Sequence, residues 1–418
     1  MSISACGHGV GQAHGLWAPR KAQDTERKAI KHLVHSLMFS AVLVGVLSAS
    51  PGAANNVGPD DEAKGIREGR RLFRHETFGG NGRTCGTCHS VANGTLTLEQ
   101  IAERFAEDPT GPLFRGDGTD DGAGNGTTRI RADGTILITL PLPAHVQLTD
   151  DPTAGTVTLR RGIPTTLNTP ALDPVLMYDG RAPDLVEQAR DAIVTHAAAT
   201  IAPTDKQLAL IAAFQQTKSF FSSKALERFA AGGPPPPLPT GHTAAEKRGR
   251  RFFNDVPISP TSTEGLCAIC HSGPLLNESN GFNPLPPPLG FVPKGERFQS
   301  ILSAELLPNG DPLRTYTVTN PDSSTFEVII SDPGRALTTG DFRGFPFGNL
   351  GQFKISSLRN VRHTAPYFHN NGAKTLEDVL AHYRLFFIIA TPAVFPGAPP
   401  IVLTDQDMAD IIAFLKLL

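Results

Sequence analysis

The chain has 418 residues and a formal charge of −2, long enough for two ordinary cores and without the basic excess that a nucleic-acid partner calls for. Its 36 prolines and 41 glycines exceed average usage, which points to long ordered loops between modest helices.

Residues 1–54 read as a leader with a cleaved signal peptide. Arg27, Lys28 and Lys31 form its positive region, and the apolar run from Leu33 to Leu47 is too short for a comfortable membrane span. Gly52-Ala53-Ala54 supplies the small residues for cleavage near Ala54, so the expected location is the periplasm; an uncleaved anchor is the alternative. Cys6 leaves with this leader, and the four cysteines that remain all lie in two short motifs.

The rest of the chain repeats one plan. Residues 55–231 and 242–418 flank a Pro-rich linker, 232–241, whose polyproline character makes it a stiff spacer. Each half opens on a basic helical segment, Ala63 to Phe73 and Ala244 to Phe253. Each closes on an amphipathic helix, predicted from Asp205 to Phe229 and from Asp405 to Leu417. Thr128 to Pro141 is predicted as a β-hairpin turning at Asp133-Gly134, and Thr315 to Ile330 as another turning at Asn320-Pro321-Asp322. The tract Gly116 to Gly122 has Thr128 where an EF-hand loop closes on glutamate, so it reads as a solvated acidic turn.

At matching places in the two halves stand Cys85-Gly86-Thr87-Cys88-His89 and Cys267-Ala268-Ile269-Cys270-His271. Two thiols at this spacing reach both vinyl groups of one porphyrin, and the adjacent histidine binds the iron. A redox dithiol or half of a zinc site would leave the histidine in both copies unexplained. The expectation is two covalently bound haem c groups with His89 and His271 as iron ligands. The fold class follows: mainly α, with two cytochrome c-like haem domains, long loops and small β-hairpin insertions. Only Met177 and Met408 survive in the mature chain, and packing is the expected role of both, so a pair of His/Met electron carriers is poorly supported.

Further segments carry a family resemblance. In the second half they are Asp332-Pro333-Gly334-Arg335, Phe353 to Val361, Thr364 to His369 and Thr375 to Val379. In the first half they are Pro164 to Asn168, Tyr178-Asp179-Gly180-Arg181 and Leu185 to Ala189. In this order they resemble the bacterial di-haem cytochrome c peroxidases and the related enzyme MauG. The resemblance implies a first haem that meets hydrogen peroxide and a second that holds or relays the oxidising equivalent. It implies a periplasmic redox partner, either a small cytochrome c, a cupredoxin or a protein substrate. It also implies a calcium ion held in part by Thr364 and Pro366, although the family's calcium-binding asparagine falls at Gly162.

Three departures from the family pattern matter. Its distal methionine at the second haem falls at Tyr383, which makes Tyr383 a candidate iron ligand of MauG type; the alternative is a helix tyrosine with a surface hydroxyl. Its inter-haem tryptophan falls at Tyr178, a candidate electron relay or a packing residue. Its pocket glutamate falls at Ala198. His196 is therefore the candidate acid/base residue, with ligation of the first iron or plain packing as alternatives, and His145 is a weaker candidate. His382 is a weaker ligand candidate than Tyr383, and His369 is expected to hydrogen-bond near the second haem. His75, His242 and His363 read as surface histidines.

The reading that follows is a MauG-like or peroxidase-like oxidoreductase with Tyr178 and His196 as catalytic candidates. The alternative is a di-haem electron-transfer cytochrome without peroxidase activity.

Overall fold

The computed structural model describes residues 59–90, 92–257, 262–281 and 294–418, so the leader reading lies outside the described residues. Among the described residues no helix is long and apolar enough to cross a membrane.

The duplicated plan appears first as a helix pair used twice. Helix Pro59–His75 carries Asp60, Asp61 and Glu62 in its first turn and Arg74 and His75 in its last, which complements the helix dipole. It buries Leu72 and Phe73 against helix Asp205–Gln215, where Phe214 meets Phe73 edge to face at 5.5 Å. The helices touch at Gly69, where a Cβ would fall 2.1 Å from the carbonyl oxygen of Leu210. In the second half, helix Ala244–Arg250 starts on a Thr243/Glu246 capping box and crosses helix Asp405–Leu415 at Gly249. A Cβ at Gly249 would lie 1.9 Å from the carbonyl oxygen of Asp410. Gly249→Ala is therefore expected to force these helices apart at a cost of about 1–3 kcal/mol. Thermal denaturation of the haem-loaded protein checks it, and an unchanged midpoint would show that the pair adjusts freely.

Each helix pair has its own apolar cluster. One gathers Leu72, Phe73, Leu208, Ile211, Phe214 and Phe220. The other gathers Phe252, Phe253, Leu380, Ile411, Phe414 and Leu415. A third cluster draws on both halves, from Leu96 to Ile163 and from Ala304 to Phe353. Its strands also cross between them, because Val146–Leu148 pairs with Arg314–Thr319 of the second hairpin. The linker is docked as well: the carbonyl of Pro236 accepts from Arg359 at 2.9 Å, and Leu238 packs on the second cluster.

The hairpin predicted between Thr315 and Ile330 is present as strands Arg314–Thr319 and Thr325–Ile330. The hairpin predicted from Thr128 to Pro141 is not. Thr128–Asp133 is a helix ended by Gly134 in the left-handed region (φ 65°), so Asp133-Gly134 is a helix C-terminus instead of a hairpin turn. Strand Thr135–Pro141 buries Ile136, Ile138 and Leu140 and pairs with Thr156–Gly162 further on. The closing helix predicted to run from Asp205 to Phe229 breaks after Gln215 and resumes at Lys224 on a Ser223 cap. The intervening turn drops Phe220 into the core and lets Ser222 donate its N–H to Asn168 at 2.9 Å. The closing helix of the second half runs as predicted, over Asp405–Leu415.

Candidate active site

Both CxxCH motifs fold back on themselves, with the histidine N–H donating to the carbonyl of the first cysteine, His89 to Cys85 at 3.0 Å and His271 to Cys267 at 2.8 Å. The side chains repeat the match. His89 Nδ1 lies 2.8 Å from the carbonyl oxygen of Gly94, and His271 Nδ1 lies 2.8 Å from that of Leu276. A carbonyl can only accept, so Nδ1 carries the proton and Nε2 keeps its lone pair for a metal. Burial lowers the pKa of both histidines, partly offset by these hydrogen bonds, which favours the neutral ligating form. Burial also pushes the thiols of Cys85 and Cys270 up to about 12, the opposite of what a redox dithiol needs.

One cavity of about 780 Å³ is lined by Cys85, Cys88 and His89 and also by Cys267, Cys270 and His271. Such a donor set facing apolar space fits a c-type haem in each half. A buried polar atom supports the fit. His369 lines the same cavity, stacks on Phe353 at 3.7 Å and meets Ser303 through Nδ1 at 3.3 Å, while its buried Nε2 has no partner among the described residues. Burial takes its pKa down to about 3, so it is a neutral hydrogen-bonding group, as expected for a residue near the second haem.

On the second-half side, helix Leu376–Val394 starts on a Thr375/Asp378 capping box and directs Tyr383 into the cavity. The hydroxyl oxygen of Tyr383 lies 3.5 Å from Nε2 of His271. Phe368, Phe386 and Phe387 surround its ring. His382 is spent elsewhere: it is buried and its Nε2 hydrogen-bonds the carbonyl oxygen of Ile301 at 2.8 Å. Met408 packs on the second cluster, whereas Met177 lines the cavity beside Tyr178.

On the first-half side, among the described residues no side chain holds the Nε2 of His89 by a hydrogen bond. His196 lines this part of the cavity from the end of helix Leu185–Thr195, which is capped at its start by Asp184. Nδ1 of His196 lies 2.6 Å from Oδ2 of Asp117, whose other oxygen is paired with Arg83. Asp117 belongs to the tract read as a solvated acidic turn, and for this residue that reading is corrected. Asp120 and Asp121 do cap local N–H groups, but Asp117 turns inward. His145 does not join the site; its Nε2 meets the carbonyl oxygen of Gly340 at 3.0 Å on the surface. His75, His242 and His363 are exposed.

Tyr178 lines the same cavity, and its backbone oxygen accepts from the N–H of Lys354 at 2.7 Å. Burial pushes its phenol pKa up, with the charge of Arg161 opposing. Arg161, 1 % exposed, holds Asp332 through two nitrogens at 2.7 and 3.0 Å and Asp179 at 2.5 Å. Arg181 binds the other oxygen of Asp179 at 2.9 Å. Asp179 and Asp332 stand in two of the motifs that carry the family resemblance, but nothing in the sequence pairs them with Arg161. Thr364 and Pro366 also line the cavity. A Cβ on Gly162 would fall 2.2 Å from Oδ1 of Asn371, so that amide occupies the space a side chain at 162 would need.

These features define a site of cytochrome c type, present twice on one cavity. No family model matches the chain. It is similar to cytochrome-c peroxidase IdrP1 of Denitromonas iodatirespirans, 26% identical over 224 residues, covering 50% of this chain and 48% of the relative. IdrP1 of Pseudomonas sp. (strain SCT) is 27% identical over 210 residues, again 50% and 48%. The chain thus spans about half the length of the curated relatives it matches. Among solved structures it is similar to a MauG-like protein associated with microbial copper homeostasis, at 20% identity and a TM-score of 0.45 over 84% of this chain and 87% of that one. The diheme peroxidase BthA from Burkholderia thailandensis gives 17% identity and 0.45 over 84% and 85%. Both of these curated relatives are named cytochrome-c peroxidase.

Proposed function

We propose that the chain is a periplasmic di-haem c-type oxidoreductase that reduces hydrogen peroxide at the first haem and uses the second for electron relay or charge storage. Residues 55–231 form the peroxidatic haem domain and residues 242–418 the second, joined by 232–241. The observation that carries this reading is the inequality of the two histidines: a phenol oxygen stands 3.5 Å from Nε2 of His271, while among the described residues no side chain hydrogen-bonds the Nε2 of His89. A capped iron suits storage and an open one suits peroxide.

Cys85 and Cys88, and Cys267 and Cys270, would hold the haems through thioether bonds, with His89 and His271 as the residues that would bind their irons. Bound haem supplies the electrons for splitting peroxide. The chain's own part is to orient His89 and His271 through their Nδ1 hydrogen bonds, to move protons through His196, and to place Tyr178 between the two sites. Tyr383 would offer its phenol oxygen to the iron that His271 holds, which favours the MauG-like form over the ordinary peroxidase. A calcium ion bound by the carbonyls of Thr364 and Pro366 belongs to the same proposal, with Oδ1 of Asn371 in the space of the family's asparagine. The oxidising equivalents left by peroxide pass to a periplasmic small cytochrome, cupredoxin or protein substrate, which gives up the electrons.

Electron paramagnetic resonance of the haem-loaded protein tests the reading. One high-spin or readily displaced signal, lost on adding stoichiometric peroxide, is the expected result. Two low-spin signals unmoved by peroxide would establish the electron-transfer alternative instead.

A further inference from the structure

The loop before the first CxxCH and the tract around Asp117 converge on His196 from several directions. Arg83 is 2 % exposed. Its guanidinium donates to the carbonyl oxygens of Pro112 at 2.9 Å, Leu113 at 2.9 Å and Arg115 at 2.6 Å, and pairs with Asp117. The carbonyl oxygen of His196 accepts from Arg83 at 3.3 Å and from Nδ2 of Asn81 at 3.0 Å. The ring is then held by Asp117 at 2.6 Å. Both the backbone and the imidazole of His196 are thus pinned, and the carboxylate that pins the ring is itself fixed by a buried cation.

We infer that Asp117 is a positioning residue for His196, and that the two form a carboxylate–imidazole pair serving as proton acceptor and donor of the first-haem pocket. This rests on the function proposed above and names the partner that lets His196 perform its part. A carboxylate can only accept from Nδ1, so the proton of the neutral ring sits there and Nε2 carries the lone pair. That nitrogen is the one left for the cavity that His196 lines. An acid arriving in the pocket, hydrogen peroxide among them, gives its proton to Nε2, and the imidazolium so formed is stabilised by Asp117. The imidazolium returns the proton to the departing oxygen, so the pair ends as it began and carries no net redox change. Ala198 at the family's glutamate position supplies no such group, and a carboxylate acting through an imidazole takes its place.

Hydrogen cyanide is the probe, because it binds ferric iron as an anion and must leave its proton on a nearby base. In the haem-loaded protein, Asp117→Asn is expected to slow cyanide binding to the first haem on the order of tenfold to a hundredfold, with the same variant slowed toward peroxide. Asp117→Glu restores most of the rate, and Asp117→Asn adds no further loss to His196→Gln, since paired groups act as one. Thermal midpoints are recorded alongside, because the substitution also removes a partner of buried Arg83. Wild-type cyanide rates in Asp117→Asn, losses that add to those of His196→Gln, or a slow Asp117→Glu that tracks only the midpoint each overturn the pair. A wild-type protein that shows the expected cyanide pattern but ignores peroxide would leave the pair standing and remove the peroxidase function.

Discussion

Arg161→Met is expected to cost about 3–5 kcal/mol of folding stability at neutral pH, more than the strain expected of Gly249→Ala. The reason is the company Arg161 keeps. Its guanidinium neutralises two carboxylates in the protein interior, and removing it strands Asp332 and halves the cationic support of Asp179. Asp332 would keep only the N–H of Gly334 at 2.8 Å, while Asp179 would keep Arg181. The size of the effect is a penalty for stranded charges, and says little about the net worth of the intact network.

The sign of the pH dependence separates this cause from lost packing. In the intact protein burial raises the pKa of Asp179, but the charges of Arg161 and Arg181 outweigh it and bring the value down to about 2. Asp332 is lowered in the same way, by Arg161 against burial. A carboxyl depressed on folding contributes stability that is fully present above its unfolded pKa of about 4 and is lost as the pH falls through its folded value. In Arg161→Met the main cause of the depression is lost for Asp332 and weakened for Asp179, which keeps Arg181, so burial favours the protonated acid at Asp332. Denaturant titration of both proteins at pH 7 and near pH 4 should therefore show the gap between them shrinking on acidification. A gap of constant size would assign the loss to shape instead of charge.

Tyr383→Phe is expected to change the second haem more than any other substitution that leaves the fold intact. Burial holds the phenol proton on Tyr383 more tightly than in water, with the neighbouring Cys270 and Cys267 adding to the effect. A ferric iron bound to His271 would draw that proton off, and the resulting anionic oxygen would stabilise oxidised iron. Phenylalanine removes the donor while keeping the ring among Phe368, Phe386 and Phe387. The second-haem potential should rise on the order of 0.1 V or more, well within the span that axial ligands command. Its ferric spectrum should change at the same time, while the first-haem signal stays as it was. A second-haem spectrum identical in both proteins would make Tyr383 a packing residue.

What the residues reveal unaided depends on how local the physics is. The histidine orientation in each CxxCH is set by a carbonyl five residues away, so two matching sites follow from two matching motifs. The hairpin from Thr315 to Ile330 was legible for the same reason. Asp133-Gly134 misled because a glycine at positive φ ends helices as readily as it turns hairpins, and the choice rested on Arg129. That residue is buried and donates to the backbone oxygens of Thr135, Asp117 and Thr119, all beyond its own helix. The break after Gln215 hung likewise on a distant partner, Asn168.

Within the candidate site, His196 and Tyr383 could be singled out because the family's acid and methionine positions are filled by other residues. Asp117 could not, since an aspartate among glycines reads as a turn until Arg83 and His196 are seen around it. Arg161 was silent for a related reason: a lone arginine in a strand gives no sign that Asp179 and Asp332 will meet it. The sequence by itself placed the two CxxCH motifs, the repeated helix pair that frames each, and the expectation of unequal sites with Tyr383 and His196 as candidates. Only the tertiary structure decided which groups meet each histidine, because they arrive from far along the chain. Packing, which no local spacing encodes, brings Tyr383 to His271 across 112 residues and Asp117 to His196 across 79, against the entropic cost of closing those loops.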